Sequence, residues 1–191
     1  LLDMKKIWIV LIVAVLVIFI IGSMFMKGLN RPVLLDEQIN SAWAQVENQL
    51  QRRNDLIPNL VSTVKGYAEH EKETFERITE LRSQWGKAAS REEKIETANK
   101  LSGTLSRLLL VAENYPQLKA NQNFLSLQAQ LEGTENRIAV ERMRYNEAVK
   151  QFNMYRRTIL GGLFCSLRGL NEPRTYFEAS EAAQEVPQIE F

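Results

Sequence analysis

The charged residues that could take part in chemistry are concentrated in two stretches of the sequence, residues 49–58 and 132–142. In the first stretch, Arg53 stands four residues before Ile57, at a position of a helical repeat where an apolar side chain is expected. A buried arginine and a carboxylate on neighbouring helices add little net stability, but they can specify how the helices align. We therefore predict a structural polar network formed by Arg52, Arg53, Asp55, Glu132, Glu135 and Arg142. A small-ligand or metal site built from the same residues, or a set of solvated charges, are the alternatives.

The sequence gives little support for a zinc site built on histidine or for catalysis by a cysteine nucleophile. His70 and Glu71 begin like the zinc motif H-E-x-x-H, but Thr74 stands where the second histidine should be and the chain has a single histidine. Cys165 is the single cysteine, and its apolar neighbours predict a buried small side chain rather than a nucleophile. We therefore predict no catalytic residues, no cofactor-binding residues and no metal ligands, and we expect that the protein is not an enzyme.

The balance of charges excludes one large class of partners. The 191 residues include 24 Lys and Arg against 23 Asp and Glu, which leaves a formal net charge of +1. Domains that bind nucleic acid carry a basic excess, so no nucleic-acid partner is expected. The apolar share of 45% and the charged share of 25% are ordinary for a folded protein.

The uncharged segment Ile7–Met26 predicts that the protein lies in a membrane. A helix of this length spans about 30 Å, the hydrocarbon thickness of a bilayer. A cleaved signal peptide fits less well, because the apolar run is long and no small-residue cleavage site follows it. We expect a single-pass transmembrane anchor, and the basic start of the chain favours a helical domain on the extracytoplasmic side. The anchor is flanked on both sides by basic residues, Lys5, Lys6, Lys27 and Arg31.

The rest of the chain shows three helical patterns and no alternation typical of strands. In the first, two seven-residue series of apolar residues extend from Ile39 to Trp85, and Pro58 is expected to kink or split that helix near Ile57. The second pattern ends before Pro116. The third places six apolar residues at intervals of seven: Phe124, Leu131, Ile138, Tyr145, Phe152 and Ile159. The predicted fold is all-α, with an N-terminal transmembrane helix, a long antiparallel three-helix bundle resembling a coiled coil, and an irregular C-terminal tail.

Glycine and proline residues suggest the boundaries of these segments. Gly28 and Pro32 are expected to separate the anchor from the bundle, and Gly161 and Gly162 to end the third helix. We predict an anchor over residues 1–28, the bundle over 29–160, and a tail over 161–191 that packs on the bundle. Because the apolar residues beyond the anchor form amphipathic seams, deletion of residues 1–28 is expected to give a soluble helical domain.

The second helical pattern has a wider apolar surface than a single seam requires. Four consecutive apolar residues provide it, so the helix packs between two neighbours or meets another copy of the chain. The candidate self-association residues are Leu108, Leu109, Leu110 and Val111.

Several blocks of residues, taken in order, resemble the LemA family over nearly the whole chain. They are SAWAQVENQLQRRNDLIPNLV at 41–61, VKGYA at 64–68, His70-Glu71, EGTENRIA at 132–139, Arg142 with Arg144-Tyr145-Asn146 and Val149, YFEA at 176–179, and the closing residues 187–191. The resemblance implies a single-pass protein of the bacterial inner membrane with a long antiparallel helical domain, and it implies no catalytic residues. Residues 164–171 depart from the family pattern, because they are apolar where a basic loop is expected.

These observations support a leading functional hypothesis and two others. The leading one is a non-enzymatic, membrane-anchored helical protein that forms homo-oligomers and acts as a scaffold or organiser at the lipid bilayer. The second is a monomeric or small-oligomer adaptor or sensor that binds a membrane protease or a signalling protein. The third is a ligand- or metal-binding domain that uses the arginine and glutamate cluster.

Overall fold

A computed structural model describes residues 2–68 and 71–178, and this part of the chain contains helices and no strands. The all-α class and a long apolar N-terminal helix followed by further helices are therefore confirmed. His70 and the predicted tail residues 179–191 lie outside the described residues. The helices are α1 (Leu2–Lys65), α2 (Lys72–Lys87), α3 (Arg91–Ala112), the single turn α4 (Pro116–Lys119), α5 (Gln122–Arg156) and α6 (Ile159–Leu167).

The first helix continues through both of its prolines, so the predicted break at Pro32 and the predicted split near Ile57 are wrong. A proline has no N–H, and it leaves the carbonyl four residues earlier without its donor in the helix. For Pro32 that carbonyl belongs to Gly28, and the Tyr155 hydroxyl donates to it at 3.3 Å. For Pro58 it belongs to Asn54, and Nε of Arg82 donates to it at 3.1 Å. Side chains from other helices thus replace the two missing backbone hydrogen bonds.

The first helical pattern folds into two helices rather than one. The helix α1 ends at Lys65, where Gly66 begins a turn, and α2 then packs against α3. Residues of α1, α2, α3 and α5, together with Leu118 of α4, share one hydrophobic core. The bundle is therefore built from four helices and a short turn, where the sequence had suggested three long helices.

The third pattern also ends earlier than its spacing suggested. The helix α5 stops at Arg156, and Gly161 and Gly162 lie inside α6 rather than ending a helix. The hydroxyl of Thr158 caps α6 by accepting a hydrogen bond from the Gly161 N–H at 3.1 Å. A side chain at Gly161 would collide with the Tyr155 carbonyl oxygen, so this close approach requires glycine. Ile159 consequently leaves the apolar seam and is 93% exposed.

The chain divides into two compact units, and the boundaries fall within α1, within α5, and between Arg174 and Thr175 after α6. Among the described residues, unit 1 comprises 2–41 and 147–174, and unit 2 comprises 42–68, 71–146 and 175–178. The segments 1–28, 29–160 and 161–191 stay a prediction. Ser90 caps the N-terminus of α3 in a capping box with Glu93, in which each side chain accepts a hydrogen bond from the other residue's backbone N–H.

Candidate functional site

Arg53 lies at the centre of the candidate site in unit 2. The helix α1 places it three residues after Leu50 and four before Ile57, so all three side chains lie on the buried face of the helix. The Arg53 side chain is 1% exposed, which makes it the largest fully buried side chain among the described residues. An apolar seam therefore contains one permanent positive charge.

The buried guanidinium binds two other helices of the bundle. Its Nη1 donates to Oε1 of Glu135 on α5 at 3.0 Å and to the hydroxyl of Ser102 on α3 at 2.6 Å. Its Nη2 donates to the backbone carbonyl of Ala98 at 3.1 Å. The Glu135 side chain remains 38% exposed, so water reaches the carboxylate while it shields the cation. Arg53 thus ties α1, α3 and α5 together by polar bonds at one level of the bundle.

The arrangement leaves Ser102 without the activation that a nucleophile requires. Its hydroxyl accepts from Arg53 and donates to the carbonyl of Ala98 at 3.1 Å. A guanidinium is always protonated and has no lone pair to take a proton, so it does not act as a general base. The hydroxyl therefore serves as a structural hydrogen-bonding group.

Arg142 lies near this ion pair but bonds to the tail of the chain. Its Nη2 donates to the carbonyl of Glu178 at 3.2 Å, and its guanidinium stacks 4.1 Å from the centre of the Phe177 ring. Burial lowers the pKa of Arg142 from its usual value, the Glu135 carboxylate opposes that shift, and the nearby Arg53 charge adds to it. The charges of Arg53, Glu135 and Arg142 are therefore coupled, although Arg142 makes its polar bond elsewhere.

Three of the six predicted network residues lie on the surface, and their part in an inter-helix network stays a prediction. Arg52, Asp55 and Glu132 are exposed. Asp55 accepts from Gln51 at 2.8 Å and Glu132 from Gln128 at 3.0 Å, both one turn away in the same helix. Arg52 directly precedes Arg53, so it points about 100° around α1 from the buried face.

A groove of about 350 Å³ opens beside the ion pair, between α3 and α5. Its polar lining comes from two serines of α3 and three polar residues of α5, namely Ser102, Ser106, Glu132, Glu135 and Asn136. Within residues 2–68 and 71–178, no three His, Cys, Asp or Glu side chains lie close enough together to hold a metal ion.

Residues 175–178 form an extended segment that lies against the helices of unit 2. The backbone of this segment makes most of the hydrogen bonds that hold it there. The Asn146 side chain donates to the Phe177 carbonyl at 3.0 Å and accepts from the Phe177 N–H at 2.8 Å. The Tyr145 hydroxyl donates to the Thr175 carbonyl at 2.8 Å, and Asn99 donates to the Glu178 carbonyl at 3.1 Å. The sequence does not predict these bonds, and its one signal for them is the asparagine directly after the seam residue Tyr145.

The candidate self-association residues of α3 differ sharply in exposure. Leu108 is fully buried in the core, so its predicted role in a contact between copies is wrong. Leu109 and Val111 are partly buried, and Leu109 packs against the same core. Leu110 is 65% exposed and is the residue of this group that a partner could reach.

Together these features define an all-helical protein with a candidate membrane helix and a polar bond inside its bundle. In the part of the chain that the structure describes, α1 is the one helix that is long and apolar enough to cross a membrane, and its apolar window is wholly unburied. The LemA family profile matches residues 42–191, and the chain belongs to the LemA family. It is similar to Protein LemA of Metamycoplasma hominis, with 23% identity over 128 residues. That match covers 66% of this chain and 58% of the relative, so the chain spans less than two thirds of the relative's length.

Proposed function

We propose that this protein is a non-enzymatic, membrane-anchored scaffold that self-assembles at the bacterial inner membrane, with its helical part on the extracytoplasmic side. The observation that carries the proposal is the continuity of α1. This one helix contains the apolar segment Ile7–Met26 and also contributes Trp43, Val46, Leu50, Ile57, Leu60 and Val64 to the buried core. Anchor and bundle are therefore parts of the same secondary-structure element rather than segments joined by a loop.

The polar site favours a structural role over catalysis. The two Nη atoms of Arg53 bond to Glu135, Ser102 and Ala98, and Ser102 has a cation as its neighbour where a nucleophile would need a base. An ion pair of this kind fixes how three helices align, which is what a scaffold requires of its building block.

Exposed apolar side chains offer surfaces for contact between copies. Leu110 on α3 and the pair Val140 and Met143 on α5 are exposed in unit 2. Anchoring confines the copies to the membrane plane and raises their effective concentration, so weak lateral contacts can build an assembly. Identical subunits usually close into symmetric objects, and a ring around the bilayer normal fits a single-pass anchor.

The mass of the full-length chain in mild detergent tests self-assembly. We expect a defined multiple of the subunit mass, and we expect Leu110→Arg to lower it while leaving the helical content intact. Gln117→Arg is the matched control, because it adds the same charge at another exposed position of unit 2. A monomer in several detergents and at several protein concentrations would contradict the scaffold.

The extended tail segment favours a second candidate, an adaptor that binds extended peptides of a membrane protease or signalling protein. Asn146 bonds both the N–H and the carbonyl of Phe177, and such backbone contacts accept many side chains. If the adaptor is correct, the protein is a monomer or a small oligomer and Asn146→Ala weakens capture of a partner peptide. If the scaffold is correct, Asn146→Ala changes neither the assembly mass nor its dependence on Leu110.

A further inference from the structure

The short helix α6 of unit 1 has two apolar faces, and one of them is uncovered. Gly161, Phe164 and Cys165 are buried on one face. The opposite face consists of four aliphatic side chains that are between 52% and 93% exposed, namely Ile159, Leu160, Leu163 and Leu167. At 100° per residue these four fall within an arc of about 100°, so they form one continuous apolar stripe.

The buried face of α6 is seated where the apolar segment of α1 ends. The rings of Phe164 and Phe25 meet edge to face, with their centroids 5.5 Å apart. The Phe164 ring also fills the space beside Gly28, where any side chain would overlap it. At the far end of α6, Arg168 donates through Nε to the Leu29 carbonyl and through Nη2 to the Asn30 side chain, each at 3.0 Å. These contacts fix α6 beside residues 25–30 of α1.

We propose that α6 is a second membrane-contacting element, which lies in the bilayer interface with its exposed stripe among the acyl chains. The proposal rests on the membrane anchor of the proposed function. If residues 7–26 span the hydrocarbon, then Phe25 lies in the last turn inside it and Gly28 lies just beyond. A helix packed at this level belongs at the boundary between headgroups and acyl chains, where interfacial helices bury their apolar face.

The charges around α6 favour lipid as the occupant of its exposed stripe. Lys27 and Arg31 follow the apolar segment of α1, while Arg157 precedes α6 and Arg168 follows it, and all four are exposed. Long basic side chains at this depth reach the phosphates of the headgroups while their stems stay in apolar surroundings. Because α6 packs beside residues 25–30 of α1, the same boundary of the bilayer reaches its exposed stripe.

The assignment revises the expectation that removal of residues 1–28 gives a fully soluble domain. That expectation assumed that every apolar residue beyond the anchor belongs to a buried seam. The α6 stripe is apolar and uncovered instead, and it lies in the segment 164–171 and just before it, where the sequence departs from the family pattern.

The test measures the depth of single labels on the full-length chain in vesicles of phosphatidylcholine and phosphatidylglycerol. In a Cys165→Ala background, Leu163→Cys carries an environment-sensitive fluorophore, and Leu160→Cys is a second variant on the same stripe. Leu16→Cys reports the anchor, and Gln38→Cys, an exposed position roughly 18 Å along α1 beyond Met26, reports water. Two lipids are the quenchers: one with a nitroxide near the headgroup end of the acyl chain, for labels at the interface, and one with a nitroxide near the methyl end, for the label at position 16.

We expect the labels at positions 160 and 163 to be blue-shifted and to lose at least half as much fluorescence as the label at position 16, while the label at position 38 is unaffected. Emission and quenching at 160 and 163 equal to those at 38 would overturn the proposal. A blue shift without lipid quenching, which disappears as the protein is diluted in lipid, would overturn it in favour of a second copy on the stripe. Absence of quenching at position 16 would overturn the anchor as well, whereas the scaffold itself is tested separately by particle mass.

Discussion

The two units distribute polar and apolar groups in opposite ways. Unit 2 buries a guanidinium in its apolar seam and bonds it to Glu135, Ser102 and Ala98. Unit 1 exposes hydrocarbon, both along α1 and on α6. A buried cation is tolerated because hydrogen bonds and an ion pair replace its water, whereas exposed hydrocarbon is unfavourable in water. The difference shows that unit 2 hides a charge among its own polar partners, while unit 1 leaves apolar side chains uncovered.

The same contrast appears where each unit accommodates a proline in α1. In unit 2, the charged side chain of Arg82 donates to the carbonyl that Pro58 leaves free. In unit 1, the hydroxyl of Tyr155 does so for Pro32. Burial raises the pKa of Tyr155, Cys165 adds to that shift and Arg31 opposes it, so the hydroxyl keeps its proton and remains a donor. The replacement donor is therefore neutral in unit 1 and charged in unit 2.

The largest effect is expected from Arg53→Ala. The variant removes a fully buried side chain together with its bonds to Glu135, Ser102 and Ala98 and leaves a cavity in the seam, which should lower the free energy of unfolding by about 3 kcal/mol. Leucine at both Arg53 and Glu135 should recover much of that loss. Arg52→Ala, on the exposed face of the same turn, is the control and should stay within about 0.5 kcal/mol. Urea unfolding of the detergent-solubilised chain measures all of these variants, and additive losses from Arg53 and Glu135 would contradict the coupling.

A smaller effect, confined to unit 1, is expected from Gly28→Ala. The added methyl group overlaps the Phe164 ring, so α6 must shift at a cost of about 1–2 kcal/mol. Burial raises the pKa of the Cys165 thiol, against the opposing influence of Arg156 and Arg174, so little reactive thiolate exists at pH 8 in the native state. Loosening of α6 should speed alkylation of Cys165 by about tenfold. Gly22→Ala, where the new methyl meets no atom within 4 Å, should leave the rate unchanged, and equal rates in both variants would argue against the contact.

Loss of the charged donor Arg82 should lower the free energy of unfolding more than loss of the neutral donor Tyr155. Arg82→Met leaves the Asn54 carbonyl unsatisfied and should lower the free energy of unfolding by about 1–2 kcal/mol. In a Pro58→Ala background the backbone N–H returns, so the same change should cost clearly less. Arg77→Met, which removes an exposed pair with Glu80, provides the comparison at about 0.5 kcal/mol or below. Equal losses from Arg82→Met with and without Pro58 would refute the replacement of the backbone bond.

The smallest effect is expected from Tyr155→Phe. The variant removes a neutral hydrogen bond of 3.3 Å to the Gly28 carbonyl, and the loss should be about 0.5–1 kcal/mol. A Pro32→Ala background should abolish most of this loss, measured by the same unfolding experiment. A loss that exceeds that of Arg82→Met would reverse the comparison between the two units.

Periodicity could predict the buried seams but not the ends of the helices. Five of the six residues in the third series, Phe124 to Phe152, are buried as their spacing indicates, whereas Ile159 is exposed because α5 has already ended. The pairing of Arg53 with Glu135 follows from two charged residues at seam positions of different helices. The donors to the proline-freed carbonyls could not be inferred, because Arg82 and Tyr155 lie 28 and 127 residues from their acceptors and nothing local marks either one.

Arg82 and Tyr155 replace the hydrogen bonds that Pro58 and Pro32 remove, and this dependence favours one order of mutation within each pair. If Arg82 or Tyr155 is lost first, a carbonyl is stranded and the protein passes through a weakened intermediate. If the proline is lost first, the helix recovers its own bond and the former donor becomes free to change. In sequences that evolve from this one, substitution of the proline therefore costs less stability than substitution of the donor. In both pairs, Pro58 with Arg82 and Pro32 with Tyr155, we expect the proline to be substituted before the donor.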